Sequence, residues 1–223
     1  MTAQPPPITS FSRTERQVIR QYPTPMRVQR WFNALPYNTE PGGETLRSFR
    51  QVVRHHTVHC LEAALAAACI LEQHGYPPLL LDLHSFDNLD HVIFIYRKNG
   101  RWGSVARSRD PGLHGRKPVF RSLRALARSY YDPFIDFTGR LTAYRMFDLR
   151  DLKDYDWRFA SRNMWHVQRT LIAQRGAHKI KGAPGRAREL RLAYRKYMAE
   201  HDNKKPLYYE GREKWTPIPD VFL

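Results

Sequence analysis

The chain has 223 residues and a mass of 26.3 kDa, which suits one domain of generous size with appendages. Its 42% hydrophobic and 13% aromatic residues exclude a disordered chain, and its longest apolar runs are too short to span a membrane. The 37 basic residues outnumber the 21 acidic ones, and the resulting net charge of +16 attracts nucleic acid, anionic lipid or acidic proteins. The N-terminal stretch MTAQPPPITSFSRTERQ lacks the apolar core of a secretory signal, and two cysteines make no disulfide scaffold. We therefore expect a cytoplasmic protein.

The first part of the chain alternates helical patterns with proline breaks. Residues 12–22 and 26–35 predict two short helices, and a proline follows each of them. Helical spacing returns over residues 44–54. We interpret residues 1–34 as an N-terminal helical arm.

The next segment predicts a long buried helix over residues 58–74. Thr57 is its predicted N-cap, and Gly75 ends it. Cys60 then lies in the first turn, where unpaired backbone N–H groups and the helix dipole favour a thiolate. Cys69, further along the same helix, is expected to be a small buried hydrophobic residue.

Strand patterns follow this helix. Apolar runs over residues 79–83 and 91–96 predict two strands, and the Asn-Gly pair at 99–100 predicts a tight turn into a return strand. Counting back from the turn places His91 opposite Ser108 in the predicted pair.

The remaining patterns complete the predicted architecture. A helix over residues 118–131 and a strand pair within 134–147 are expected, and the chain after Asp151 is helical and basic. Helices followed by an antiparallel sheet predict the α+β class. We interpret residues 35–150 as the core and residues 151–223 as a basic helical C-terminal extension that packs on it.

A cysteine at a helix start and a histidine at a strand start are what thiol catalysis requires. Cys60 would attack a carbonyl, and His91 would take the thiol proton and later protonate the leaving amine. The backbone N–H groups of the first helical turn could stabilise the oxyanion. Ser108 and Asp110 are both candidates for orienting the imidazole.

Several motifs resemble bacterial transglutaminase-like proteins. The likeness covers about residues 35–150 and includes HCLEAA at 59–64, PPLLLDL at 77–83, DHV at 90–92 and GRWGS at 100–104. It implies a papain-like α+β fold, in which a helix bearing the nucleophile Cys60 packs on an antiparallel sheet bearing the base His91.

The resemblance also implies an activity. The enzyme would act on an amide bond of a peptide or protein, as a cysteine peptidase, an amidase or an acyltransferase, through a cysteine thioester and without a cofactor. Members of the family carry an aspartate shortly after a tryptophan of the return strand, whereas Trp102 is followed by Gly-Ser-Val-Ala. Ser108 or Asp110 must therefore substitute, or the site has only a dyad.

Three further residues are candidates for lining the substrate cleft: His59, Asp90 and Trp102. His55 and His59 have the i, i+4 spacing of zinc ligands on a helix, so a zinc hydrolase is a third interpretation. The ordinary interpretation is that these polar residues, with Asp82 and His84, rim a cleft, and we expect no metal.

The basic C-terminal segment leads to a different class of function. Arg188, Arg191 and Arg195 are spaced to form one face of a predicted helix over residues 186–201. This face could contact phosphates, so the alternative to an enzyme is an inactive binding module for nucleic acid or an acidic partner. We expect no membrane partner, and the sequence leaves the oligomeric state open.

Overall fold

The computed structural model describes residues 4–85, 90–131 and 141–181, together with residues 192, 196, 199 and 200. It has an α+β architecture, as the sequence predicts. The longer helices of the described ranges are α1 (Arg13–Gln21), α2 (Pro25–Ala34), α3 (Phe49–His55), α4 (Cys60–Glu72), α5 (Leu123–Arg128) and α6 (Trp165–Ala173). The strands are β1 (Leu79–Ser85), β2 (His91–Lys98), β3 (Arg101–Val105), β4 (Arg116–Phe120), β5 (Leu141–Asp148) and β6 (His178–Lys179).

The six strands form one antiparallel sheet in the order β4-β3-β2-β1-β5-β6. Successive side chains of a strand point to opposite faces of the sheet, so the continuous apolar runs of β1 and β2 make both of their faces apolar. Leu80 and Phe94 belong to the core that contains α4, whereas Leu81 and Ile93 belong to a second core beneath α5. The strands that carry the site are therefore fixed from both sides.

Helix α4 runs through the middle of the first core. Every residue from Leu61 to Glu72 is buried, and the five alanines among them allow close packing. Segments from both ends of the chain pack in this core, with Phe32 of α2 and Leu171 of α6 as examples. A large buried helix of this kind holds the position of its first turn firmly.

The predicted N-cap of α4 is wrong. The Thr57 hydroxyl accepts a hydrogen bond from Arg47, and Val58 pairs with Tyr37 in a parallel bridge. Residues 57 and 58 are therefore held outside the helix. The N-cap is His59 and the helix begins at Cys60, so the cysteine lies even closer to the helix terminus than predicted.

The hairpin is confirmed, but the pairing does not extend as far as predicted. Lys98 pairs with Arg101 as counted, and the ladder ends where Phe94 pairs with Val105. At Ala106 the amide of Gln29 takes over, accepting from its N–H at 2.9 Å and donating to its carbonyl at 2.8 Å. The chain therefore turns towards α2, and His91 is not opposite Ser108.

Other predicted elements are partly wrong. The expected helix over 44–54 begins only at Phe49 and ends at His55, and Pro118 lies in strand β4 rather than in a helix. A proline is tolerated there because β4 is an edge strand. Strand β5 pairs with β1, and the other half of the predicted strand pair, residues 132–140, lies outside the described residues.

The basic face predicted in the C-terminal segment, Arg188, Arg191 and Arg195, also lies outside the described residues. In the described part of the chain, no helix has the length and apolar character that crossing a membrane requires. Segments 1–34 and 151–223 both contribute core residues, for example Val28 and Trp157.

Candidate active site

The two cysteines occupy very different environments. Cys60 is the first residue of α4 and is partly exposed, whereas Cys69 is fully buried in the core, as expected. Burial raises the pKa of the Cys69 thiol well above its ordinary value, and the nearby Glu72 carboxylate adds to this effect. Cys69 is therefore an inert core residue.

The structure brings His91 to Cys60, as the sequence predicts. His91 begins β2 and is buried, and its Nε2 lies 2.9 Å from the carbonyl oxygen of Leu113. A carbonyl only accepts, so Nε2 carries the hydrogen of the neutral ring. The other ring nitrogen, Nδ1, is left for the hydrogen bond with the Cys60 sulfur. In this tautomer Nδ1 is the basic nitrogen that can receive the thiol proton.

A second imidazole reaches the same sulfur. The Nε2 atom of His59 lies 3.0 Å from the carbonyl oxygen of Thr45, and the ring also hydrogen-bonds Cys60. Two carboxylates lie near Nε2, Glu62 at 3.5 Å and Glu40 at 3.8 Å. His59 was expected only to line the cleft, whereas the structure makes it a direct partner of the thiol.

The two histidines determine the charge of the sulfur. Burial alone would raise the pKa of the Cys60 thiol, but hydrogen bonds with His59 and then His91, and the charges of both rings, lower it to about 5. Burial alone would lower the pKa of His59, but the hydrogen bond to Cys60, the thiolate charge and Glu62 raise it to about 9. Around neutral pH Cys60 is therefore a thiolate and His59 an imidazolium.

Glu62 holds this corner of the structure together. It lies in the first turn of α4 and is 0% exposed. Its carboxylate accepts hydrogen bonds from the two connections that lead into this corner: from the Asn38 side chain at 3.1 Å, from the Thr45 hydroxyl at 3.2 Å, and from the backbone N–H groups of Arg47 and His59, both at 3.0 Å. A carboxylate is also favourable here because it faces the positive end of the helix dipole.

Tyr37 lies beside the thiol. Its backbone pairs with Val58, two residues before Cys60. Burial raises the pKa of the Tyr37 phenol, and the negative charge of Cys60 raises it further, so the phenol stays protonated. The backbone N–H of Cys60 has no hydrogen-bond partner among the described residues. Both groups are donors that an oxyanion formed at the sulfur could use.

Ser108 and Asp110 lie in the turn that precedes Leu113, whose carbonyl binds His91. The Ser108 hydroxyl accepts from the Asp110 N–H at 3.1 Å, and the Asp110 carboxylate accepts from the Gly112 N–H at 2.8 Å. This turn presents the Leu113 carbonyl to His91. In the described contacts, the atom that binds the His91 Nε2 is this backbone carbonyl, and a catalytic role for Ser108 or Asp110 stays a prediction.

Trp102 does not form a wall of this cleft, contrary to expectation. It pairs with Arg97 near the hairpin turn, six residues along β2 from His91, which corresponds to about 20 Å of strand. There it packs against the second core. Asp90 precedes His91 but turns towards β1, where its carboxylate accepts from the Ser85 N–H at 2.8 Å.

The described residues bring together one group of possible metal ligands, Asp82, His84 and Asp90, with ligand atoms within 4.8 Å of one another. Arg145 lies 3.4 Å from the Asp82 carboxylate and His84 lies 2.9 Å from it, so a cation is not needed to balance its charge. The zinc spacing of His55 and His59 does not place them on one helix, because α3 ends at His55 and α4 begins after His59.

Chelation of divalent cations should leave the melting temperature unchanged, because Arg145 and His84 already compensate the charge of Asp82. Addition of Zn²⁺ or Mn²⁺ is the more stringent test, because Oδ1 of Asp82 is buried without a hydrogen bond in the described part of the chain and could accept a metal. We expect the melting temperature to stay unchanged here too. Differential scanning fluorimetry with EDTA and with each metal measures both effects. A rise of several degrees with metal that Asp90→Asn removes would contradict the prediction.

Sequence reasoning missed most of the groups around the thiol. The missed residues are Tyr37, Glu40, Thr45, Glu62 and Leu113. Glu62 had a detectable signal, since an acid three residues after a helix N-cap is typical of a capping arrangement. The others approach through loops, and two of them act through backbone carbonyls.

A scan against protein-family models and a search of curated proteins found no match to this chain.

Proposed function

We propose that the protein is a thiol enzyme that acts on an amide bond of a peptide or protein through a cysteine thioester. The observation that carries the proposal is the position of Cys60 at a helix N-terminus between two imidazoles, which lower the pKa of its thiol to about 5. Low-pKa, partly exposed cysteines of this kind are nucleophiles, whereas structural cysteines are buried and neutral.

The reaction follows from the arrangement. The Cys60 thiolate attacks the amide carbonyl, and the oxyanion accepts from the Cys60 N–H and the Tyr37 hydroxyl. His91, which has received the thiol proton on Nδ1, donates it to the leaving amine as the C–N bond breaks. Neutral His91 then takes a proton from water or from an acceptor amine, which attacks the thioester and releases the thiolate.

The two histidines have different roles in this proposal. His59 lies among a carbonyl and two carboxylates, which favour its charged form, so it remains an imidazolium that stabilises the thiolate. Among the described residues, the hydrogen-bond partner of the His91 Nε2 is the Leu113 carbonyl, so Nδ1 is the group that exchanges protons. His59 is a positioning residue, and His91 is the acid and base.

The order of the elements supports a relationship to transglutaminase-like enzymes of the papain-like fold. A buried helix begins at the cysteine and packs on an antiparallel sheet, and the next strand but one begins at the histidine. We propose this family on the motifs and on this order. A reducing cytoplasmic compartment would suit two free thiols.

The test is capture of the acyl-enzyme. The protein is incubated with a mixed tryptic digest at mildly acidic pH, and the peptide containing Cys60 is examined by mass spectrometry for a mass increase that hydroxylamine removes. We expect acylation of Cys60 in wild type and none in Cys60→Ser, because a hydroxyl does not ionise there. Cys69→Ala serves as the matched control and should acylate normally.

Labelling by iodoacetamide is the experiment that can rule the proposal out. If Cys60 in the folded protein reacts no faster than Cys69, the site is not a thiol centre and the proposal is wrong. Cys60 that is reactive but never acylated by any peptide would favour the alternative of an inactive binding module.

A further inference from the structure

The segment after strand β3 brings two guanidinium groups to Tyr37, beside the thiol. Arg107 and Arg109 lie over the ring of Tyr37, with 5.9 and 5.7 Å between each guanidinium carbon and the ring centre. Tyr37 itself interacts electrostatically with Cys60. The two arginines are thus placed one side chain away from the sulfur.

These two arginines differ in what they bind. Arg107 is held by the structure: its guanidinium donates to the carbonyl oxygens of Leu35 and Ser108, each at 3.1 Å, and lies 2.9 Å from the His114 ring. Burial lowers the pKa of His114 to about 4, with a smaller contribution from Arg107, so that ring is neutral and accepts. Arg107 therefore fixes the segment in place.

Arg109 differs from Arg107 in this respect. It is partly exposed, and among the described residues it forms neither a hydrogen bond nor an ion pair, so its described contact is the Tyr37 ring. The two acids on the Tyr37 side of the site are already engaged, since Glu62 is fully hydrogen-bonded and Glu40 accepts from the Thr45 N–H at 2.8 Å. A planar guanidinium with free donors beside a reactive centre suits a carboxylate.

We infer that the cleft selects acyl substrates that carry a carboxylate near the reacting carbonyl, and that Arg109 binds this carboxylate. The inference rests on the proposed function, because it takes Cys60 as the nucleophile. Tyr37 is the platform on which the guanidinium lies, and Arg107 holds the backbone that presents it. Acidic peptides are therefore the substrate class, and neutral or basic peptides of equal length should react more slowly.

The experiment compares two alkylating reagents of the same size. N-bromoacetylglycine carries a carboxylate one glycine unit beyond its reactive carbon, and N-bromoacetylglycinamide is its neutral counterpart. The second-order rate constant of each with Cys60 is measured in the Cys69→Ala background, and the ratio of the two constants is the readout. This ratio cancels differences in the reactivity of the thiolate itself.

Wild type should prefer the anionic reagent, and Arg109→Gln should lower the ratio about threefold or more, the effect of one lost charge near the site at low ionic strength. Arg109→Lys should keep part of the preference because it keeps the charge. Arg101→Gln is the matched control: it removes the same charge at the hairpin end of β3 and should leave the ratio unchanged.

Two outcomes would overturn the inference. The ratio could be unchanged in Arg109→Gln, including the case in which both reagents slow equally and Arg109 is merely structural, or the ratio could fall equally in Arg101→Gln. Failure of the proposed function is distinguishable from these, because peptides would then leave Cys60 unacylated, or the neutral reagent would label Cys60 no faster than an ordinary thiol in every variant.

Discussion

Alkylation of Cys60 by iodoacetamide should continue almost undiminished as the pH falls to about 6 and should drop to half only near pH 5, because its thiol pKa is about 5. An ordinary thiol with a pKa of about 8.5 loses reactivity tenfold for each pH unit below that value. The direction of the effect follows from the form that reacts, which is the thiolate. A lower thiol pKa keeps the thiolate populated in more acidic solution. The shape of the profile, rather than the rate at neutral pH, is diagnostic, since a less basic thiolate is also a weaker nucleophile.

Two histidine variants separate the sources of this effect. His59→Asn removes the charged partner and should move the midpoint of the profile upwards by about 1–3 pH units, the usual effect of a neighbouring opposite charge. His91→Asn should move it less, because its hydrogen bond is the smaller contributor, yet should reduce turnover by about 10²–10⁴-fold through loss of the acid and base. The measurement is the rate of Cys60 labelling against pH by mass spectrometry, in a Cys69→Ala background. A Cys60 midpoint above pH 8 in the wild type would contradict the ionised site.

Local signals in the sequence predicted the elements that carry the site. The Asn-Gly turn at 99–100 was predictable because both residues adopt positive φ, which this pair favours in tight hairpins. The apolar runs of β1 and β2 predicted strands because both faces of these strands are buried. The meeting of Cys60 with His91 followed from a helix start and a strand start, and the resemblance to transglutaminase-like proteins indicated the same pair.

Contacts made by extended segments were not predictable. His59 reaches the sulfur of the adjacent Cys60 because its backbone at the N-cap is extended, with φ −104° and ψ −175°. No pattern in the sequence predicted this conformation. The Leu113 carbonyl has no side-chain signature at all. The error at Ser108 had a long-range cause, since Gln29, far away in the chain, binds Ala106 and ends the ladder early.

Replacement of Glu62 by alanine should be among the most destabilising single changes in this chain. The side chain is 0% exposed and joins the connection between α2 and α3 to the first turn of α4. Its loss would remove one acceptor of the Asn38 amide and would leave the backbone N–H groups of Arg47 and His59 without their acceptor. We expect the free energy of unfolding to fall by about 3–5 kcal/mol, the cost of breaking a buried charged network from one side. Urea unfolding followed by tryptophan fluorescence measures it.

Glu72 provides the matched control at the other end of the same helix. It is also buried, and its carboxylate binds Arg158 at 2.5 and 2.7 Å, so Glu72→Ala should cost a similar free energy. The two variants should differ at the thiol. Glu62→Ala removes the carboxylate beside His59 and the acceptor of its backbone N–H, so the midpoint for Cys60 labelling should rise, whereas Glu72→Ala should leave it in place.

The comparison holds even if the alanine variant at position 62 is too unstable to purify. Glu62→Gln keeps the shape of the side chain and removes its charge, so it should fold and should still raise the midpoint for Cys60 labelling, because the His59 imidazolium loses a carboxylate 3.5 Å away. Equal midpoints for Glu62→Gln, Glu72→Ala and wild type would show that Glu62 supports only the fold. A higher midpoint for Glu62→Gln alone would establish that the same buried carboxylate stabilises the helix start and the charge on the thiol.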